Sequence, residues 1–330
     1  MDALLILNAL KKNAIAREEG RSERRNFLRT AGGFAAGAAG TLALTACGGH
    51  SSIAGAQTSS SSGPTDVDIL NFALNLEYLE AQFYSYAATG NGLASSMLTG
   101  TGTQGNVIAG QKANLSSPLV IAYANEIAQD ENNHVAFLRS ALGSSAVAQP
   151  TIDVSVSPTS AFSVAAQAAG LVPAGTAFNP YANDESFLLG AYIFEDVGVT
   201  AYHGAASLIS SKTYLDAAAG ILAVEAYHAG LIRTALYAMG LQSPAPSINP
   251  YTATAAISNA RSKLDGTNND DQGIAGASST ISNIVDANSN SIAYDRTTAQ
   301  VLNIVYLNAA AVTMGGFFPA GVNGNINTSG

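Results

Sequence analysis

Apolar residues recur every three or four positions in four long segments of this 330-residue chain, which is the spacing of one buried helix face. The first predicted helix runs from the capping pair Thr65 and Asp68 to about Ala88, and the second from Ser117 and Pro118 to Gly143. The third runs from Asn183 or Asp184 to about Ile209. The fourth runs from about Thr213 to Met239 and stops at Gly240. Helices of about 23 to 28 residues are about 35 to 40 Å long. Such lengths suit a four-helix bundle.

The connection between the second and third predicted helices is unusually long. Residues 144–182 contain four prolines and no extended helical pattern. A connection of this length lets the second and third helices lie parallel to each other. The pattern therefore predicts an all-α fold, a four-helix bundle with one long crossover.

The segments outside the four helices divide into polar stretches and one further helix. Residues 89–116 and 242–290 are rich in small and polar residues and predict irregular surface insertions. A helix is predicted at about residues 297–313, where one face holds Val301, Ile304, Val305 and Leu307. We expect this helix to pack on the outside of the bundle. The predicted domain covers residues 64–320, and residues 321–330 form a C-terminal tail.

The start of the chain predicts an export signal, residues 1–46, that is not part of the fold. Arg24 and Arg25 precede a Gly- and Ala-rich run too short to span a membrane, an arrangement that resembles the twin-arginine signal. The run ends in Leu44-Thr45-Ala46-Cys47, which resembles a lipobox with Cys47 as the lipidation site. A buried helix with an incidental cysteine is the alternative. Residues 47–63, rich in Ser and Gly, then predict a flexible tether to a lipid anchor in the membrane of the cell envelope.

Charge and cysteine content narrow the classes of function. Removing residues 1–46 takes seven Lys/Arg from 14 and four Asp/Glu from 23, which leaves 7 basic and 19 acidic residues and a net charge of −12. Such an acidic protein is not expected to bind nucleic acid. The single cysteine leaves neither a disulfide framework nor a thiolate metal site. Any metal must therefore be bound by histidine and carboxylate side chains.

Two Glu-x-x-His motifs supply such side chains. Glu131 and His134 lie in the second predicted helix, and Glu225 and His228 lie in the fourth. Residues three apart share one side of a helix, so each pair can present a carboxylate and an imidazole to one metal ion. Two such pairs arise by chance with a probability of about 0.5%. The residues that follow each motif also match, which indicates an internal duplication of a helix pair.

The first and third predicted helices add glutamates at core positions. Glu77 and Glu195 each precede a tyrosine, Tyr84 and Tyr202, by seven residues, or two helical turns. Four buried carboxylates repel one another, by roughly 4 kcal/mol for a pair about 4 Å apart at an effective dielectric near 20. Two divalent cations would offset that charge. Protons, or arginine and tyrosine partners, are the alternative.

Two segments resemble sequences of the ferritin-like superfamily. They are the motif Leu74-Asn75-Leu76-Glu77-Tyr78-Leu79-Glu80-Ala81-Gln82-Phe83-Tyr84 and the ending Gly315-Gly316-Phe317-Phe318-Pro319. In particular, the chain resembles the branch of bacterial and plant desiccation-related proteins, and the resemblance covers about residues 64–320. In ferritin-like di-metal proteins, a glutamate on each of two helices and Glu-x-x-His on the other two bind the metals. The resemblance implies the metal ligands Glu77, Glu131, His134, Glu195, Glu225 and His228. Glu80 lies one turn beyond Glu77 on the same helix stripe, so it is a possible additional ligand, an acid next to the ligands or a solvated residue.

Other polar residues near these positions have competing interpretations. Tyr84 and Tyr202 are the candidate catalytic side chains, although a purely structural aromatic role is more common for such residues. We expect His203 to be structural and Asp130 and Asp196 to lie on the surface, because they point about 100° away from the adjacent glutamates. For Arg139 and Arg233, pairing with core acids at the end of the bundle is an open alternative.

The first functional hypothesis is a redox centre with two metal ions, iron or manganese, that oxidises ferrous iron or removes peroxide. Glutamate and histidine are the ligands that such metals use. The second hypothesis is a non-catalytic, stress-related protein of the periplasm or cell envelope with a structural or vestigial site. A two-metal hydrolase is the weaker third, because no substrate-binding loop is evident. A homo-oligomer is compatible with each hypothesis.

Overall fold

The computed structural model describes residues 63–108, 110–242, 247–266, 270–278 and 280–330. The predicted export signal and Cys47 lie outside the described residues, as does the tether apart from Gly63. In the described part, the α-helices are α1 (Asp66–Thr89), α2 (Pro118–Leu142), α3 (Ala161–Ala168), α4 (Asp184–Ala206), α5 (Lys212–Gly240), α6 (Pro250–Asp265) and α7 (Thr298–Val305). Two short strands, β1 (Val107–Ile108) and β2 (Ile152–Asp153), pair in parallel. The predicted all-α fold is confirmed.

Local sequence signals set the ends of the long helices. Thr65 and Asp68 form a reciprocal capping box at the start of α1, and Gly90 ends that helix in the left-handed conformation with φ 83°. The side chain of Asn183 accepts a hydrogen bond from the Ser186 amide and so caps α4. Ser211 caps α5 in the same way. The four long helices therefore begin and end within about three residues of their predicted positions.

The bundle consists of two helical hairpins that face each other. Helix α1 packs along α2, and α4 packs along α5. The long crossover connects α2 to α4, and it contributes Phe162 of α3 to a fully buried aromatic cluster. Ring centroids in this cluster lie 4.9 to 5.8 Å apart, and its members are Phe83, Phe162, Phe187, Phe194 and Phe317. These rings exclude water from the part of the bundle next to Tyr84.

The prediction that residues 242–290 form an irregular insertion is wrong for the part that forms helix α6. This helix begins at Pro250, capped by Asn249, and buries Ala253, Ile257 and Arg261. A buried arginine on the core-facing side interrupts the apolar pattern, because a charged residue stands where the helix period predicts an apolar one. The Ser, Thr and Ala content of the segment masked the remaining pattern.

The helix predicted at 297–313 is shorter than expected. Helix α7 ends at Val305, because the chain turns at Tyr306 and at Leu307, whose φ is 54°. The amide of Phe317 then donates a hydrogen bond to the Val305 carbonyl, which folds the C-terminal segment back onto α7. Helix α7 packs against α4 and α6, outside the four-helix bundle. The segment that follows also contacts the bundle, since the Asn323 amide donates to Asn75 of α1.

Helix α5 is the one helix among the described residues that is long and apolar enough to cross a membrane by length and composition. A core helix of a bundle passes the same test. Helix α5 buries Glu225, His228 and Arg233 against its neighbours. We therefore interpret it as a bundle helix that contributes polar side chains to the interior.

Candidate metal centre

The bundle brings all six predicted ligands to one place in its interior. Each of the four long helices contributes, with Glu77 from α1, Glu131 and His134 from α2, Glu195 from α4, and Glu225 and His228 from α5. All six side chains are buried. The two Glu-x-x-His pairs face each other across the bundle, because α2 and α5 present them from opposite hairpins.

Glu131 lies between the two histidines. Its Oε1 atom is 3.1 Å from His228 Nδ1, and its Oε2 atom is 3.5 Å from His134 Nδ1. The two imidazole rings are 6.3 Å apart between centroids. Glu131 would therefore be a shared ligand, together with both imidazoles, for metal held at this place.

Glu77 and Glu195 occupy equivalent outer positions. Glu77 Oε2 is 3.1 Å from His134 Nδ1, and Glu195 Oε2 is 3.5 Å from His228 Nδ1. Their remaining oxygens accept hydrogen bonds from tyrosine hydroxyls, with Tyr202 donating to Glu77 and Tyr84 donating to Glu195. Tyr84 of α1 therefore fixes Glu195 of α4, and Tyr202 of α4 fixes Glu77 of α1. From sequence spacing alone, each tyrosine would have been paired with the glutamate two turns before it on its own helix.

Glu225 and Glu80 complete the acidic set. Glu225 Oε1 is 3.6 Å from His134 Nδ1, and oxygens of Glu80, Glu195 and Glu225 lie within 4.8 Å of one another. Gly198 of α4 makes room for this crowding, since a Cβ atom there would lie 2.2 Å from Glu225 Oε2. Glu80 therefore points into the centre, at the position expected of an additional ligand.

The centre has more negative charge than its own side chains can neutralise. Five glutamates and two histidines are buried together, and within the described part of the chain no arginine or lysine forms an ion pair with any of the five. Both oxygens of Glu131, both of Glu225, Glu195 Oε2 and His228 Nδ1 are buried and lack a hydrogen-bond partner. Such orphaned atoms are costly unless a cation binds them. The residues present therefore fit bound metal ions.

Burial and mutual repulsion shift the pKa values of the carboxyl groups. Burial raises the pKa of Glu77 to about 7, against the opposing charge of His134. Burial, followed by the charges of neighbouring glutamates, raises the pKa of Glu80 and of Glu225 well above the usual value. Glu131 differs, because His134 and His228 overcome its burial and lower its pKa. Without metal, the centre therefore holds protons on several of its carboxyl groups.

The same carboxylates raise the pKa of both histidines. Burial opposes the protonation of His134, but Glu77 and Glu131 overcome it and raise its pKa to about 11. The pKa of His228 is also raised, by Glu195 and Asp130 against burial. Protons on both rings occupy the nitrogens that a metal would use, so metal binding has to displace them.

A second buried acidic group, next to the centre, is neutralised by arginines. Asp196 Oδ2 lies 2.9 Å from Arg233 Nη1 and 3.0 Å from Arg261 Nη2, and Asp271 pairs with Arg261 and Arg296. The expectation that Asp196 lies on the surface is therefore wrong, because α6 covers it. The pairing considered for Arg233 is present, with Asp196 as its partner. The glutamates of the centre differ from this group, because among the described residues their ion-pair partners are histidines and not arginines.

Three other residues have partners that sequence spacing does not reveal. Asp130 lies at the surface, as expected, with its side chain 38% exposed, but its Oδ2 also lies 3.4 Å from His228 Nε2. Arg139 donates to the Tyr78 hydroxyl and the Thr99 carbonyl rather than to a core acid. His203 contacts the Tyr294 carbonyl with Nδ1, in keeping with a structural role.

Gly198 is the site residue that sequence reasoning missed although a signal was present. A glycine inside a long helix costs about 1 kcal/mol relative to alanine, and one reason to retain it is the close approach of another group. Gly198 lies one turn after Glu195, on the same helix face. Its position therefore indicates that another group comes close to the helix there, and that group is Glu225.

Comparison with known proteins places this geometry in context. The family described as ferritin-like domain matches residues 65–238. The ferritin-like catalase Nec2 of Nesocodon mauritianus is 32% identical over 271 residues, which cover 79% of this chain and 84% of that protein. The desiccation-related protein PCC13-62 of Craterostigma plantagineum is also 32% identical over 271 residues, covering 79% of this chain and 83% of that protein. No solved structure matches the chain significantly.

Proposed function

The chain belongs to the ferritin-like domain family, and from this premise we propose that its buried glutamates and histidines hold two iron or manganese ions that decompose hydrogen peroxide. The observation that carries the proposal is the set of buried oxygens on Glu131, Glu195 and Glu225 that form no hydrogen bond and lie beside two imidazoles. Carboxylate oxygens with two histidines suit iron or manganese rather than metals that prefer thiolates. When bound, the two metals supply the change of oxidation state that peroxide chemistry requires.

The side chains around the proposed metals would fix and shield them. Tyr84 and Tyr202 hold Glu195 and Glu77 in place, and their own pKa values are raised by burial, so both phenols stay protonated and can donate. Asp130 contacts the outer nitrogen of His228 and so orients the ring. The adjacent aromatic cluster keeps bulk water away from this part of the bundle.

Peroxide is the favoured substrate because its decomposition needs no other reactant. Two molecules of hydrogen peroxide yield two molecules of water and one of dioxygen, with one peroxide oxidised and the other reduced. One relative at 32% identity carries the name of a ferritin-like catalase. Oxidation of ferrous iron is the second version of the proposal, in which iron is substrate as well as cofactor.

The test is oxygen evolution by the purified, metal-loaded chain. We expect dioxygen release on addition of peroxide, and we expect Glu131→Gln to abolish it because that carboxylate lies between both histidines. Asp216→Asn is the control, because that acid is exposed on α5 and lies outside the centre. Peroxide consumption without dioxygen, coupled to loss of ferrous iron, would support the iron-oxidising version. Bound metal with neither reaction would contradict the proposal and favour the non-catalytic alternative.

We also propose that the chain is exported by the twin-arginine route and anchored through a lipid on Cys47. The proposal rests on the Arg24-Arg25 pair and the Leu44-Thr45-Ala46-Cys47 sequence. Expression of the chain and of Cys47→Ala in a bacterium with both export and lipidation machinery tests it. We expect the unchanged chain in the membrane fraction and the variant in the soluble fraction. Equal distribution of the two would contradict lipid anchoring.

A further inference from the structure

A groove opens between α2 and α5 directly outside the candidate metal centre. Its volume is about 530 Å³, and it is open to solvent. The α2 wall carries Tyr123, Glu126 and Asp130, and the α5 wall includes Tyr227 and His228. Residues at helical spacing on two facing helices therefore form most of its walls, and Ile284 lines it as well.

The floor of the groove is one side chain thick. The side chain of His228 is 3% exposed, and its Nε2 faces Asp130 at the groove. Its Nδ1 lies 3.1 Å from Glu131 and 3.5 Å from Glu195, inside the centre. A single imidazole therefore separates the groove from the buried carboxylates of Glu131 and Glu195.

The groove walls favour cations. Glu126 and Asp130 lie one turn apart on α2, and the side chain of Asp130 is 38% exposed. Among the described residues that line the groove there is no lysine or arginine. Acidic residues in a cleft concentrate divalent cations at its mouth and speed their association.

We propose that this groove is the route by which divalent metal ions reach the centre, with Glu126 and Asp130 as the first contacts and His228 as the last side chain before the buried glutamates. The inference rests on the proposed metal binding, but it concerns the path rather than the reaction. The competing path passes His134, whose side chain is 10% exposed. The groove is favoured because it combines open volume, acidic walls and direct contact with a candidate ligand.

Glycine positions on α5 allow a steric test. Gly230 lines the groove, and a Cβ atom there would meet nothing within 4 Å, so Gly230→Phe places a ring in the groove without a backbone clash. A helical side chain leans toward the N-terminus of its helix, which directs this ring toward Tyr227. Gly220→Phe is the matched control, because Gly220 lies on the same helix with equal space and does not line the groove.

The measurement is the rate at which Co²⁺ binds to the metal-free chain, followed by its visible absorption in a stopped-flow instrument. We expect Gly230→Phe to slow binding by about tenfold or more relative to Gly220→Phe, with the same final stoichiometry. Equal rates for the two variants would overturn the groove route and point to the path beside His134. If the unchanged chain bound no Co²⁺ at all, the proposed metal centre itself would fail, which is a distinguishable result.

A charge variant gives an independent check. Glu126→Gln removes an acid from the groove wall but none of the candidate ligands, and we expect it to slow Co²⁺ binding about two- to threefold at low ionic strength. The difference should disappear at high ionic strength, because salt screens exposed charges. Asp216→Asn, an exposed acid on α5 outside the groove, is the control. An equal effect of both variants would show that only overall charge matters and would overturn the role of the groove wall.

Discussion

Tyr84 of α1 donates its hydroxyl hydrogen to Glu195 of α4, the helix of the opposite hairpin. Tyr202 of α4 returns the same contact to Glu77 of α1. Each hairpin therefore positions a candidate metal ligand of the other. The two halves resemble a duplicated helix pair in sequence, and these exchanged hydrogen bonds show why neither half would assemble the centre alone.

Removal of either exchanged hydrogen bond should weaken metal binding without unfolding the protein. We expect Tyr84→Phe or Tyr202→Phe to lower metal affinity about 10- to 100-fold, because each leaves a glutamate free to rotate. Tyr306→Phe is the control, since Tyr306 also buries a hydroxyl, which donates to the Asn327 carbonyl. Tyr306→Phe should lower the unfolding free energy by about 0.5 to 1.5 kcal/mol, as much as either of the other two variants, but should leave the metal affinity unchanged. Competition titration with a metal chelator measures the difference, and equal affinity in all four proteins would contradict the expectation.

Two glutamate variants should have opposite effects on the stability of the metal-free protein. Glu225 has a raised pKa, so Glu225→Gln resembles its protonated form and should stabilise the metal-free chain at neutral pH by about 1 kcal/mol or more. Glu131 has a lowered pKa because both histidines pair with it, so Glu131→Gln should destabilise by a similar or larger amount. Urea unfolding measures both. If both variants changed the unfolding free energy in the same direction, the assignment of charge states would be wrong. Metal binding should be lost in both variants.

The stability of the metal-free and metal-loaded forms should change in opposite directions with pH. The folded-state pKa of Glu77 is about 7 against an unfolded value of 4.5, and those of Glu80 and Glu225 are also raised. Stability from Glu77 is fully present below about pH 4.5 and is lost as pH rises through about 7, and the raised pKa values of Glu80 and Glu225 act in the same direction. The metal-loaded form should instead gain stability over this range, because protons compete with the metals for the ligands.

Thermal unfolding at several pH values, with and without metal, tests this relation. The difference in Tm between the loaded and metal-free forms should widen between about pH 5 and about pH 7.5. The Glu225→Gln chain without metal is the control, since it should lose less stability over the same interval than the unchanged chain. A constant or narrowing difference would show that the centre does not exchange protons for metal.

The buried network beside the centre should matter for stability rather than for metal binding. Asp196→Asn leaves Arg233 and Arg261 with one less buried partner, which should lower the unfolding free energy by about 3 to 5 kcal/mol. Asp216→Asn, at an exposed position, should change it by about 0.5 kcal/mol or less. Metal stoichiometry at low temperature should stay the same in both. A small effect of Asp196→Asn on urea unfolding would mean that Asp271 and Asp286 compensate for it.

Hydrophobic spacing and capping residues were sufficient to predict the bundle. The capping box at Thr65, the N-terminal Pro118 and the cap at Asn183 all have local signals, because the residues that satisfy a helix end lie within one turn of it. The six candidate ligands could also be chosen from sequence, since Glu-x-x-His spacing and core position are properties of single helices.

Contacts between distant segments could not be predicted in this way. Asp196 was expected on the surface because it points about 100° away from Glu195 on the helix, but α6, more than fifty residues later, covers it with Arg261. Asp130 reaches His228, and each tyrosine reaches the glutamate of the opposite hairpin, through packing that no single helix encodes. The end of α7 depends on a return of the C-terminal chain and was also predicted too late.

The central claim is that buried glutamates and histidines of this bundle hold two metal ions. Elemental analysis of the chain, purified without chelator and compared with Glu131→Gln prepared in parallel, tests it most directly. We predict about two iron or manganese ions per chain in the unchanged protein and a clear loss in the variant. A chain that contains no transition metal as isolated, and takes up none when loaded anaerobically with ferrous or manganous ions, would contradict the account.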